Sequence, residues 1–209
     1  KNLEKFLSTK NSNLTYHELW SEKDFELYRM PYRDIFKMET GYGGKSAFWP
    51  TLINIRKTET ANTYELKLAF TEVQNEYVSH LKSVYNLIAK VDKEKVIFYR
   101  YLNYATQNWK KQNVEDITYI ISPQHTFSKK QAEDQLSFTK ILQDFFELDP
   151  MEITYYSCKN PIEIYQIKGF DYYYPMYLSS TGGLAEFNNI IFSGNDKDIY
   201  SHEITHLYA

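Results

Sequence analysis

Several devices are scarce or missing in this 209-residue chain. It has one cysteine, Cys158, so no internal disulfide is possible and the redox setting cannot be read from it. Packing beside Tyr155 and Tyr156, rather than nucleophilic chemistry, is the expected role of that thiol. No run of 18 apolar residues occurs, which excludes a transmembrane helix. Lysine and arginine are not clustered, and the net charge is −3, so the electrostatic footprint of a nucleic-acid binder is absent. Glycine is also rare. Of the seven present, three bracket one short stretch near the end of the chain. A sequence opening on Lys1 rather than Met is expected to have lost any targeting segment; the compartment stays open, with an extracytoplasmic setting as the working expectation.

What is abundant is aromatic. Hydrophobic residues make up 43% and aromatic residues 17%, with twenty tyrosines, a composition that buries a core rather than staying disordered. The length suits one large domain or two small ones.

The pattern along the chain predicts an α+β fold in two parts. The first, residues 1–93, reads as a β-rich module with short helices, one of them broken at Met30-Pro31. Ile53 and Ile55, then Tyr64, Leu66, Leu68 and Phe70, alternate with polar residues and predict a hairpin around 58–62 with one buried and one wet face. A third strand is expected over 84–91. Gly44-Lys45-Ser46 is not a phosphate loop, because Glu39 stands where the first glycine of that motif belongs. His17 and His80 read as ordinary packing or surface residues.

The second part, 94–209, is expected to begin with a helix over 94–111, from the spacing of Phe98, Leu102, Ala105 and Trp109. A strand follows at 117–121. Ser128 with Gln131 forms a capping box opening a long helix whose apolar stripe is Phe138, Ile141, Leu142 and Phe145. Another strand is predicted at 152–156. Asn160-Pro161-Ile162-Glu163 starts a helix that Gly169 ends. Leu184 to Phe192 is strand-like, interrupted by Asn188-Asn189. Ser193-Gly194-Asn195 then turns the chain into its final helix.

That helix carries His202-Glu203-Ile204-Thr205-His206. Two histidines four apart share one helix face, close enough for both imidazoles to meet one zinc ion, with Glu203 beside the first. A zinc-bound water has a pKa near neutrality, and Glu203 is placed to take its proton as general base. The bland alternative is an amphipathic helix whose histidines happen to face the same way.

The order strand, helix, strand, helix, glycine-flanked strand and HExxH helix resembles the first lobe of gluzincin metallopeptidases, the peptidase MA-like group, over about 117–209. The resemblance implies a zincin-like lobe, Zn2+ as cofactor of the full-length protein, and a peptide or protein substrate. It implies His202 and His206 as zinc ligands, Glu203 as catalytic base, and Gly183, Leu184, Ala185 and Glu186 as backbone contacts for substrate on an edge strand. Two family features have no counterpart in this sequence: a third-ligand glutamate on a later helix and an oxyanion-stabilising Tyr or His. Glu186 and His125 are the only internal substitutes, and the family topology puts both on the wrong side of the helix. The expectation is therefore an incomplete, inactive portion of a hydrolase that holds no stoichiometric zinc by itself. The alternative is a non-catalytic binding module on a degenerate metallopeptidase-like fold, presenting Tyr172, Tyr173, Tyr174 and Tyr177.

Overall fold

The computed structural model describes residues 1–75, 77–93 and 95–208. Its elements run α1 (Asn2–Thr9), α2 (Glu22–Tyr28), β1 (Trp49–Lys57), β2 (Thr63–Val73), β3 (Ser79–Asp92), β4 (Lys95–Tyr99), α3 (Tyr101–Ala105), β5 (Lys110–Val114), β6 (Ile117–Ile121), α4 (Lys129–Phe146), β7 (Ile153–Ser157), α5 (Pro161–Lys168), β8 (Phe170–Tyr173), β9 (Gly183–Glu186), β10 (Ile190–Ser193) and α6 (Ser201–Tyr208). The fold is α+β. It divides into two compact units, 1–105 with 166–175, and 106–165 with 176–209, whereas the sequence suggested a boundary between 93 and 94.

The first unit is built on an antiparallel sheet ordered β1-β2-β3-β4, with β8 added against β3. Leu66, Leu68 and Phe70 point into the core as their alternation requires. β1 departs from expectation. A bulge between Leu52 and Asn54 breaks its register, and Ile53 and Ile55 both remain exposed, so this edge strand has no buried face. Leu52 and Ile55 instead line an apolar cleft of about 490 Å3 with Leu3, Leu66 and Phe98.

The helix expected over 94–111 is replaced by β4, α3 and β5, with residue 94 outside the described residues. The reason lies in Phe98. Its backbone N–H donates to the Leu19 carbonyl at 2.8 Å and its own carbonyl accepts from Ser21 N–H at 2.9 Å, while β4 pairs with β3 on the other side. Its ring packs 5.2 Å from Phe6, which also meets Trp20 at 5.1 Å and Tyr32 at 5.5 Å. Tertiary packing of β-branched and aromatic residues thus overrides the helical spacing. Behind this cluster Glu39 faces the fully buried Lys10, whose Nζ is 3.0 Å from the carboxylate and donates to the Ile35 carbonyl at 2.5 Å. Burial pushes the Lys10 ammonium down from its ordinary pKa, and Glu39 opposes that.

The second unit carries a mixed sheet ordered β5-β6-β7-β10-β9. β6, β7 and β10 are parallel; β5 and β9 close the two edges antiparallel to their neighbours. Ile117, Tyr119, Ile153, Tyr155 and Ile191 form its core with Ala132 and Leu136 of α4 and Ile204 and Tyr208 of α6. Of the expected α4 stripe, Phe138 and Leu142 pack against this core and the other two residues do not. Ile141 and Phe145 are 63% and 76% exposed, and the buried face consists of Ala132, Gln135, Leu136, Thr139 and Gln143. Gln135 and Gln143 of that face reach α6 and its entry, while Thr139 Oγ1 donates to the Gln135 carbonyl. Cys158 is fully buried, and burial drives its thiol pKa well up. Among the described residues no helix is long and apolar enough to cross a membrane.

Candidate functional site

The last helix is anchored by polar groups as much as by its apolar face. Ile204 and Tyr208 face the core. Tyr200 N–H, at the entry to the helix, donates to Gln135 Oε1 at 2.6 Å; Asp198 N–H donates to Gln131 Oε1 at 3.0 Å; Gln143 Nε2 donates to Tyr208 Oη at 3.2 Å. Helix-terminal N–H groups need partners, and α4 supplies them through glutamine side chains. This use of Gln131 leaves the capping box half formed. Ser128 Oγ accepts from Gln131 N–H at 3.4 Å, but Ser128 N–H goes to the Asp198 carboxylate at 2.6 Å rather than to Gln131.

Docked this way, α6 turns His202 and His206 outward. Both are exposed, their Nε2 atoms lie 3.3 Å apart, and their rings are 4.9 Å apart nearly perpendicular. Two nitrogens each about 2.0–2.1 Å from one tetrahedral zinc stand about 3.3–3.4 Å apart, so the observed separation fits two corners of such a shell. Glu203 lies on the adjacent face, 7% exposed, with no hydrogen-bond partner among the described residues. Among those residues no group of three His, Cys, Asp or Glu side chains suits a metal ion.

β9 runs beside this helix. It pairs with β10, Gly183 opposite Ser193 and Glu186 opposite Ile190, and its other side is the sheet margin. At Gly183 strand and helix come close. A Cβ there would stand 2.4 Å from the Tyr200 ring, 2.8 Å from Glu203 Cγ and 2.8 Å from the Phe192 carbonyl oxygen. Only glycine tolerates such an approach. Burial, and after it the Glu203 carboxylate, pushes the Tyr200 phenol above its ordinary pKa; its ring lies 6.2 Å from that of His202.

The structure thus brings His202, Glu203 and His206 together with Gly183 and the strand Gly183–Glu186. It does not bring His125 to them. That imidazole is held between Asp196 and Asp198. Sequence reasoning missed Tyr200, Gln131, Gln135 and Asp198, which seat the helix. Their spacing carries no motif, and only the glutamines' positions at i and i+4 hinted at a shared face.

No family model, curated protein or solved structure matches the chain.

Proposed function

We propose that this chain provides the HExxH half of a zinc-dependent peptide hydrolase. The observation that carries the reading is the 3.3 Å separation of two exposed imidazole nitrogens, with the Glu203 carboxylate, which has no hydrogen-bond partner among the described residues, alongside and a sheet margin next to it. His202 and His206 are the zinc ligands and Glu203 the general base. When bound, zinc supplies Lewis acidity and a water of lowered pKa. Glu203 would serve as general base, accepting a proton from the water whose oxygen adds to the peptide carbonyl carbon and returning it to the amine as the C–N bond breaks. β9 offers backbone groups of Gly183, Leu184, Ala185 and Glu186 to an extended peptide, which would add as a further strand. A catalytic site needs a third protein ligand, which the described residues do not supply, so the proposal concerns a polypeptide that carries one.

The test is peptide cleavage by the intact polypeptide, with and without a chelator, beside Glu203→Gln. Losing a general base lowers kcat by about a hundredfold or more. Full activity in Glu203→Gln, or activity untouched by the chelator, overturns the assignment. A second reading draws on the lack of a third ligand among the described residues: the same fold serves as a binding module without chemistry. Zinc analysis of the intact polypeptide separates the two, with about one equivalent expected for the enzyme and none for the module.

A further inference from the structure

Three residues before the last helix, a carboxylate is completely enclosed. Asp198 is 0% exposed; its Oδ1 accepts from Ser157 Oγ at 2.6 Å, and its Oδ2 accepts from Ser128 N–H at 2.6 Å and lies 3.0 Å from His125 Nε2. The other ring nitrogen of His125 is 2.8 Å from Asp196 Oδ1. With its side chain only 3% exposed, the imidazole has a carboxylate at each nitrogen. An ionised carboxylate is an acceptor only, and a neutral imidazole donates from one nitrogen. With both aspartates ionised, the two bonds exist together only when the ring carries two protons.

Asp196 and Asp198 belong to the linker 194–200, and His125 to the loop between β6 and α4. Among the linker's other ties, Tyr119 Oη donates to the Asp198 carbonyl and Tyr155 Oη to the Lys197 carbonyl. The remaining charged groups near the ring are accounted for. Lys159, between β7 and α5, bonds the second oxygen of Asp196, and Glu163 on α5 is occupied by Ser122 Oγ at 2.5 Å and Lys159 N–H at 2.6 Å. The two ring nitrogens thus join the β6–α4 loop to the stretch of chain that sets the start of α6, beside the bond that Ser128 N–H gives Asp198.

We propose that His125, held as an imidazolium between Asp196 and Asp198, is a positioning residue for α6: its second proton latches the linker, and losing that proton loosens the linker and the His202–Glu203–His206 helix while the rest of the unit stays folded. Hydrogen bonding to Asp198 raises the ring's pKa above 6.5, with burial opposing and Asp196 assisting, so the latch is closed below the raised value and opens as pH rises through it. The inference stands independently of the hydrolase reading.

Nuclear magnetic resonance of the labelled chain tests it without metal or substrate. Both His125 ring nitrogens are expected to be protonated at pH 6.5. Amide exchange over 199–206, corrected for its intrinsic pH dependence, is expected to speed up by about tenfold or more as the ring titrates, the effect of losing one charge-assisted hydrogen bond, with β6 and β7 amides unmoved. In His125→Gln the α6 amides are expected to exchange fast at every pH, with no step. A singly protonated ring at pH 6.5, or flat α6 exchange through its titration, overturns the proposal. Should His125→Gln fail to fold, the wild-type titration and exchange decide alone.

Discussion

Two adjacent glycines with opposite surroundings give the sharpest test of how the helix and the edge strand are fitted. At Gly183 an added methyl meets the Tyr200 ring at 2.4 Å, Glu203 Cγ at 2.8 Å and the Phe192 carbonyl oxygen at 2.8 Å; at Gly182 it meets only Pro161 Cγ, at 3.6 Å. To regain ordinary contact the Tyr200 ring edge must retreat by about 1 Å, and the Glu203 stem by somewhat less, in an interior packed at near-crystalline density. Tyr200 is half-buried and can turn aside, but the Phe192 oxygen is β10 backbone and cannot. Overpacking of this kind costs about 1–3 kcal/mol, and the backbone contact argues for the upper half of that range. Gly182→Ala removes only chain freedom from the unfolded state and should be neutral or slightly stabilising, by at most about 1 kcal/mol. Denaturant unfolding of both variants, followed by tyrosine fluorescence, is the assay. If Gly183→Ala is as stable as Gly182→Ala, the close approach of β9 to α6 is wrong, and with it the placing of Glu203.

Other perturbations have equally definite outcomes. Asp24 is 2% exposed, and burial raises its carboxyl to about 6 against Trp20 and Arg100 hydrogen bonds that oppose the rise. Its contribution is fully present below pH 3.8 and is lost as pH climbs through about 6, a swing of about 3 kcal/mol. Asp24→Asn keeps an acceptor for Arg100 N–H and should gain on wild type over that window; parallel pH–stability curves for the two would refute the burial argument. Ile204→Ala empties a fully buried position against the second sheet and should cost about 2–5 kcal/mol in denaturant unfolding. Phe145→Ser, on the exposed side of α4, should change stability by no more than about 0.5 kcal/mol despite the apparent apolar stripe, and a larger loss would show that face to be covered.

What could be read in advance was local. The pair His202 and His206 followed from helix geometry alone, since four residues of spacing place two side chains on one face wherever the helix sits. The cap at Asn160 is likewise intrinsic, its Oδ1 accepting from Glu163 N–H at 3.0 Å. Asn188 and Asn189 read as an interruption of one strand and are the turn of a hairpin, both at positive φ, between β9 and β10. The readings that failed depended on distant partners. Phe98 has helical spacing with Leu102, yet its place beside Leu19 and Phe6 decides for a strand. Ile141 and Phe145 mimic a core stripe, while the face of α4 that is buried mixes Ala132 and Leu136 with Gln135 and Gln143, which serve α6. Hydrophobicity reports burial only where packing is apolar, and a helix interface knit by amides is invisible to it.

Segment 166–175 leaves the second unit and joins the sheet of the first, where Phe170–Tyr173 pairs with Ser83, Val84 and Tyr85. The polypeptide therefore passes from one unit to the other three times. Dissecting it by expression is not a matter of one cut. A piece starting at Thr106 would carry β8 away from its sheet, and a piece ending at Ala105 would leave part of β3 a bare, sticky margin. Isolating the helix-bearing half calls for excising ten residues and rejoining Tyr165 to Met176 through a new connection.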